Sequence, residues 1–426
     1  MVSSAQRWRV LALSSLGGAL EYYDFVVYAI FAPYLAAAFF PARDPLTGLL
    51  VAFAVFAVGY LARPFGGLVL SHFGDRFGRR RVFIVTLLTM SAATAGMGLL
   101  PSYASIGLAA SVGMVLLRLL QGFVLGGELA GAITYVSETS PSPAAVSVGC
   151  GAIFACVNSG VLLAALVSLA VHTSLPPAAV AAWGWRLGFL AGGVVGLIGF
   201  WLRLSLEETP AFAERRAIVA KAPIAEVVQR FPGQILTGIA VLGTMAGFNG
   251  LIFAHLPAYL TRIAHYDPIA ATTAQNVCLA VMSVGLFLSA LASTVVGRRR
   301  LLQAGAVLLL IFGYPFYAAL AGHRFDLTAT LVVAALVSAL GNGVFAAIVA
   351  DLFPTPVRFT GVATVLNLAV TLFSGFGPLI ATWLIARTGD PASPGWFLAA
   401  CAAIALAGSL ALPRYEGQLA LEASPP

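Results

Sequence analysis

The chain has 426 residues, 60% of them hydrophobic and only 9% charged, with a mean hydropathy of +0.96 and a formal charge of +7. A soluble domain cannot hide that much apolar surface, and lipid offers backbone amides no partner, so the composition excludes a water-soluble globule and requires helices wherever the chain meets lipid. The runs are too long and too evenly apolar for the alternating strands of a membrane barrel.

With about 20 apolar residues needed to cross a roughly 30 Å hydrocarbon core, the length suits about twelve spans on short loops and leaves no room for a large soluble domain. In chain order the apolar runs predict spans near 11–40, 46–70, 82–100, 106–137, 144–172 and 187–206, then 233–262, 270–296, 301–321, 327–353, 357–386 and 395–413. Arg7 and Arg9 ahead of the first run look like the start of a secretory signal. Glu21 and Asp24 within that run, and the equally apolar runs that follow, make it span one instead. The polar stretch 207–232, containing EETPAFAERR and KAPIAEVVQR, is expected to be a cytoplasmic linker. It divides an N-terminal six-helix half, 1–206, from a C-terminal one, 233–426, that ends in a short cytoplasmic tail.

The positive charge does not point to nucleic acid, because it sorts by loop. With a cytoplasmic N-terminus, the even-numbered loops and both tails hold sixteen Lys/Arg against five in the odd-numbered loops, while Arg63 and Arg118 lie in spans. This is the positive-inside pattern. HFGDRFGRRR at 72–81 follows span two and VVGRRR at 295–300 follows span eight, as a duplicated six-span unit would place them. Cys150, Cys156, Cys278 and Cys401 stand in apolar runs without disulfide or metal-ligand spacing and read as packing residues. The glycines of GGVVGLIG at 192–199 suit close helix packing. No GxxxxGK[ST] phosphate loop occurs, which argues against an ATP-driven pump. Nothing suggests a catalytic triad, a metal cluster or a signalling domain, so neither an enzyme nor a sensor is expected.

Eight motifs in order carry a resemblance. They are GGALEYYDFVVYAIFAPYLAAAFFP at 17–41, GYLARPFGG at 59–67, HFGDRFGRRR at 72–81, RLLQGFVLGGE at 118–128, YVSETSP at 135–141, WGWR at 183–186, EETPAF at 207–212 and FPTPVRFTG at 353–361. The chain resembles the major facilitator superfamily and, within it, the metabolite:proton symporter family, whose members carry citrate or tricarballylate, dicarboxylates, 2-oxoglutarate, shikimate, and proline or betaine. The resemblance implies an all-α membrane protein with twelve transmembrane helices in two pseudo-symmetric six-helix halves. It implies a monomeric secondary transporter of a bacterial inner membrane, working by alternating access, with both termini cytoplasmic. Its partners are then a small-molecule metabolite, protons and the lipid bilayer, and it needs no cofactor beyond the coupling ion H+. TGDPASPGWF at 388–397 looks most like the citrate and tricarballylate branch. The leading expectation is therefore proton-coupled uptake of an organic acid such as citrate or another di- or tricarboxylate. The alternative is symport of a zwitterionic osmolyte, proline or betaine; that group often carries a long C-terminal coiled coil, whereas this chain ends soon after LPRYEGQLALEASPP. Export of a drug-like or aromatic compound is a third reading.

An ionisable group at the membrane midplane costs roughly 2.5–3.5 kcal/mol even on insertion scales, and is usually kept for a pathway or a proton relay. Glu21, Asp24, Arg63, Arg118 and Glu128 are of this kind. Glu21 and Asp24 share a helical face that Tyr28 continues, and Arg118 shares a face with Gln121. If spans one and four face a central cavity, as the resemblance implies, these carboxylates and Arg118 meet across it. A carboxylate beside an arginine stays ionised until an anionic substrate competes for the cation. Arg118 is thus expected to bind a substrate carboxylate while Asp24, Glu21 or Glu128 carries the proton. Asn158, Asn249, His255, Tyr259, Asn342 and Asn367 are the further candidates for substrate contact, with Tyr28 and Gln121. In GDRFGRRR, Asp75 can meet a helix N-terminus and pair with an arginine in one gating state only, so Asp75, Arg76, Arg79 and Arg80 are candidate gating residues with Glu138 and Arg358.

Three departures from the family pattern bear on gating. Ser71 stands where the first loop motif normally begins with glycine. Thr294 and Val295 replace an acidic and basic pair in the second-half loop, so that latch is expected to be weakened. Ala144, Ala145 and Val146 replace the basic pair after YVSETSP, leaving Glu138 without that local partner.

Overall fold

The computed structural model describes residues 4–42, 44–77, 79–204 and 223–412, with side chains described outside 4–16, 68, 71–83, 128, 202–204 and 223–225. The described residues form helices joined by short connections, with no strand among them. Most of the expected linker, the side chains of Ser71, Asp75, Arg76, Arg79, Arg80 and Glu128, and the C-terminal tail lie outside what is described.

The first half runs through α1 (Ser4–Ile30), α2 (Ala32–Phe39), α3 (Pro45–Phe77), α4 (Arg79–Leu99), α5 (Leu108–Val124), α6 (Glu128–Thr139), α7 (Pro143–Ser174) and α8 (Arg186–Leu204). The second runs through α9 (Pro232–Val241), α10 (Gly243–Asn249), α11 (Leu256–Arg262), α12 (Pro268–Val296), α13 (Arg298–Ala321), α14 (Leu327–Asn342), α15 (Phe345–Asp351), α16 (Arg358–Ala369), α17 (Gly377–Thr388) and α18 (Pro394–Ala411). Among the described residues, eight helices are long and apolar enough to cross a membrane, and joining three bent pairs brings the number to eleven. The shorter apolar helix Ile84–Leu99 falls at the expected third span and completes the set of twelve. The large apolar side chains of Phe65, Trp201, Leu236, Ile311 and Trp383 turn outward, which suits a surface that faces lipid rather than water.

Proline decides where several spans bend. Span one turns by 60° between α1 and α2, where Pro33 sits in the first turn of α2 and has no N–H to continue the ladder. Spans seven and eleven share one device: a π-helical turn, Gly250–His255 in one and Val370–Gly375 in the other, followed by a proline at the start of the next helix. The rings of Pro257 and Pro378 would strike the carbonyls four residues back, at Phe253 and Ser374, and the wider turn relieves both clashes. In the loop before α3, the Thr47 hydroxyl and backbone N–H donate to the Asp44 carboxylate (2.5 and 2.9 Å). These bonds hold that carboxyl below the usual carboxylate range.

Glycine sets the closest helix contact. A Cβ on Gly122 would overlap the carbonyl of Gly59, and one on Gly66 would overlap the backbone of Phe123, so α3 and α5 touch backbone to backbone. GYLARPFGG and RLLQGFVLGGE are two sides of this seam. WGWR has an equally local reason: Arg186 Nη1 donates to Gly98 O (2.6 Å) and Leu100 O (2.8 Å) while its guanidinium lies over Trp185 (4.5 Å), closing the carbonyl end of α4. Cys150, Cys278 and Cys401 are buried, Cys156 is half-buried, and all four are free thiols within packed helices.

Candidate functional site

Two small cavities lie between the halves, and Tyr22 of α1 and Met245 of α10 line both. The first is walled by Arg63 of α3, by Gly126 and Leu129 at the α5–α6 junction, and by Asn367 and Val370 of span eleven. The second is walled by Phe154 and Asn158 of α7 from one side, and by Asn249, Phe253, Asn342 and Phe345 from the other. Each has room for a water molecule or two rather than a metabolite.

Among the described residues, contacts between the halves cross both ends of this path. At the face bearing the basic loops, Arg298 at the start of α13 forms an ion pair with Asp351 at the end of α15. It also reaches across to the first half, donating to Ser147 Oγ (2.6 Å) and to the Pro143 carbonyl. Deeper in, Asn367 Nδ2 donates to Gly126 O (2.7 Å) and Thr371 Oγ1 to Tyr60 O (3.0 Å), again from one half to the other. At the opposite face Ala32, Leu49 and Phe53 of the first half pack with Ala258 and Leu379 of the second, and the Phe53 ring lies 5.9 Å from that of His255. Among the described residues, contacts between the halves thus bridge both faces.

Arg118 departs from expectation. It is fully buried, with its guanidinium 3.8 Å from the Phe25 ring centroid, 4.6 Å from Phe56 and 4.8 Å from Tyr28. Its Nη1 donates to Phe25 O (3.0 Å) and Gln121 Oε1 (2.8 Å). Gly59 makes the space, since a Cβ there would stand 2.9 Å from Arg118 Nε. Arg118 lines neither cavity and forms no ion pair with Asp24; aromatic rings, not carboxylates, surround it.

Asp24 is 1% exposed, and neither carboxylate oxygen has a hydrogen-bond donor among the described residues. It lies against Gly192, where a Cβ would stand 2.5 Å from Oδ1. Asp24 and Arg118 are joined only indirectly. Gln121 Nε2 donates to Asp24 O (3.2 Å) and Thr94 Oγ1 (2.8 Å), while its Oε1 receives Arg118. The expected acid–arginine contact is absent: Gln121 ties Arg118 to the backbone of residue 24, not to its carboxylate.

The other candidates divide. Asn158, Asn249, Asn342 and Asn367 are brought together around the cavities. Tyr28 is not among the lining residues: its hydroxyl donates to Ala52 O (3.1 Å). Tyr259 donates to Pro391 O (3.0 Å), and His255 is enclosed by Phe53, Tyr259 and Tyr317 with no partner for either ring nitrogen among the described residues. Glu21 is buried and Glu138 half-buried, and each is engaged in an interaction. Arg358 Nε donates to Ala350 O and Phe353 O (3.1 Å each), closing the end of span ten within its own half.

The second-half loop is not weak in the way its sequence suggests. Arg298 finds its acid in Asp351, 53 residues along the chain, rather than inside the loop. Arg63 stood among the embedded charges of the sequence but not among the residues expected to contact substrate, and the structure sets it on the first cavity. Arg63 is 4% exposed, lies over Tyr60 (5.3 Å), and its Nε and Nη1 carry no hydrogen bond among the described residues.

Residues 14–322 match the family described as Major Facilitator Superfamily. A putative proline/betaine transporter of Staphylococcus aureus (strain COL) is 31% identical over 415 residues, 95% of this chain and 88% of that protein. The proline/betaine transporter of Escherichia coli K12 is 31% identical over 413 residues, 93% and 82% of the two chains. Among solved structures, a proton:xylose symporter superposes with a TM-score of 0.74 at 17% identity over 97% of both chains. A partially occluded, inward-open form of the E. coli xylose transporter superposes with a TM-score of 0.73 at 16% identity, covering 97% and 98%. At such identity these two speak to the fold alone.

Proposed function

The chain belongs to the major facilitator superfamily, and from that premise we propose that this multi-pass transporter takes up a small zwitterion of the proline or betaine class together with a proton. The observation that carries the reading is the charge inventory of the cavities. Among the described residues Arg63 is the one cationic side chain that lines them; the remaining walls are aromatic rings, aliphatic groups and neutral amides. One guanidinium matches one carboxylate, and aromatic faces with amide oxygens suit a cation. Citrate and its relatives bring two or three carboxylates, for which those walls provide no second cation. The names of the similar proteins favour the zwitterion and lend the citrate expectation no support.

Asp24 is the proton carrier in this reading. A buried ionised carboxylate without a partner is costly, so the halves rock past one another more favourably with Asp24 neutral. Asp24 lies two residues from Tyr22, which lines both cavities, so a protonation event and a substrate contact act on the same stretch of α1. Positive-inside bias supports a cytoplasmic side for the Arg298 face and both termini.

The test is uptake of labelled proline, betaine and citrate into proteoliposomes under a proton gradient. Proline or betaine should accumulate, and a protonophore should abolish it. Citrate accumulation, or accumulation indifferent to the protonophore, refutes the reading.

A further inference from the structure

We infer that the two cavities are one divided site that selects zwitterions whose ammonium still carries hydrogens: Arg63 takes the carboxylate, and the side-chain oxygens of Asn158 and Asn342 take the N–H groups. The inference rests on the zwitterion reading above and narrows it from that class to amino and imino acids.

The geometry supplies unmet demand on both sides. Arg63 lines the first cavity, buried, with Nε and Nη1 unpartnered, and a buried guanidinium with idle donors is satisfied best by a carboxylate. Asn158, 3% exposed, lines the second from α7. Its Nδ2 donates to Leu279 O (2.9 Å) and Ser283 Oγ (2.7 Å). Because the Leu279 carbonyl can only accept, the amide cannot turn over, and Oδ1 is left without a donor. Asn342, 1% exposed, lines the same cavity from α14. Its Nδ2 is turned to Ser338 Oγ (2.8 Å) and Asn249 Oδ1 (3.4 Å), which leaves its Oδ1 without a donor; both partners can donate as well as accept, so this amide, unlike that of Asn158, is free to turn over.

Two residues with an idle acceptor, one from each half, thus line one cavity. A secondary ammonium has two N–H groups, one for each oxygen, and in binding both it ties the halves together. A trimethylammonium has none. It can rest on Phe154 and Phe345, whose rings meet edge to face at 4.5 Å, but it leaves both amide oxygens unmet. A site built to hydrogen-bond a group discriminates strongly against the analogue that lacks it. Met245, unbranched and adaptable, is the divider that a substrate spanning both cavities displaces.

The experiment is gradient-free counterflow of labelled proline and of labelled betaine in proteoliposomes, with the wild type and with Asn158→Leu, Asn342→Leu and Arg63→Gln. Each Asn variant should raise the proline KM by about tenfold or more while moving the betaine KM less than about threefold, the size of one lost charge-assisted hydrogen bond. Arg63→Gln should raise both, since both substrates carry the carboxylate. Should Asn158→Leu fail to insert, the smaller Asn158→Ser makes the same comparison. If the wild type exchanges these zwitterions but the Asn variants weaken both equally, or if it prefers betaine to proline, the inference is overturned and the zwitterion reading stands. If the wild type exchanges neither, both are overturned.

Discussion

Replacing Asp24 by asparagine should disconnect the proton from the substrate while leaving the substrate path intact. The side chain is 1% exposed, has no ion-pair partner among the described residues, and sits against Gly192 in a space that an amide of the same shape can fill. Gln121 holds residue 24 through its backbone carbonyl, a contact that survives the change. Packing is therefore nearly preserved. The functional loss is large: a neutral zwitterion moving with one proton carries one charge, and 100 mV then supplies about 2.3 kcal/mol, or about 50-fold accumulation. A pH difference of one unit adds about another tenfold. In proteoliposomes with both gradients imposed, Asp24→Asn should drop from this level of accumulation to simple equilibration, whereas gradient-free counterflow should stay within about threefold of wild type, the tolerance of a shape-conserving swap. Accumulation by Asp24→Asn above the equilibrium level would refute Asp24 as the carrier. Loss of counterflow along with accumulation would show that the residue holds the structure or the substrate instead.

The remaining predictions concern a buried imidazole and the tie between the halves. His255→Phe removes two ring nitrogens that have no partner and leaves an aromatic ring among Phe53, Tyr259 and Tyr317, so it should stabilise the protein by about 1 kcal/mol in thermal unfolding and leave the pH profile of transport unchanged; a shifted profile would restore His255 as a titrating participant. Arg298→Gln loses an ion pair whose side chains are 15% and 56% exposed, worth under about 1 kcal/mol, together with the cross-half contacts to Ser147 and Pro143, worth about 1 kcal/mol each. Hydrogen exchange at the start of α7 should quicken markedly in Arg298→Gln and only slightly in Asp351→Asn; an equal effect of the two would mean that the ion pair alone braces that face.

Much of the protein was legible before its structure. Hydropathy marked where the spans fall, because burying backbone in lipid leaves helices as the only economical form. The tightest seam was not legible: the sequence offered GGVVGLIG for close packing, whereas it is the glycines of GYLARPFGG and RLLQGFVLGGE that let α3 and α5 touch backbone to backbone. Asn158, Asn249, Asn342 and Asn367 could be named one by one as candidate contacts, but that they gather around two cavities is seen only in the folded chain. The π-helical turns were not legible either. Pro257 and Pro378 announce a disturbance, but whether it becomes a break, a kink or a widened turn depends on the helices packed around it.

The sequence by itself therefore determined the class of the molecule, the number and order of its spans, and which charged residues had been carried into the membrane. Tertiary structure decided what those charges do. A sequence shows that Arg63, Arg118 and Asp24 are embedded, but not the rotation of each helix about its axis, because nearly uniform apolar runs carry little periodicity from which to read a face. That rotation seats Arg118 among Phe25, Tyr28 and Phe56, away from any carboxylate, and leaves Arg63 on the cavity. Likewise the second-half loop lacks an acid within itself, and only the folded chain brings Asp351 to Arg298. Charges inside the spans are few, so what surrounds each is set by how the helices pack rather than by local spacing.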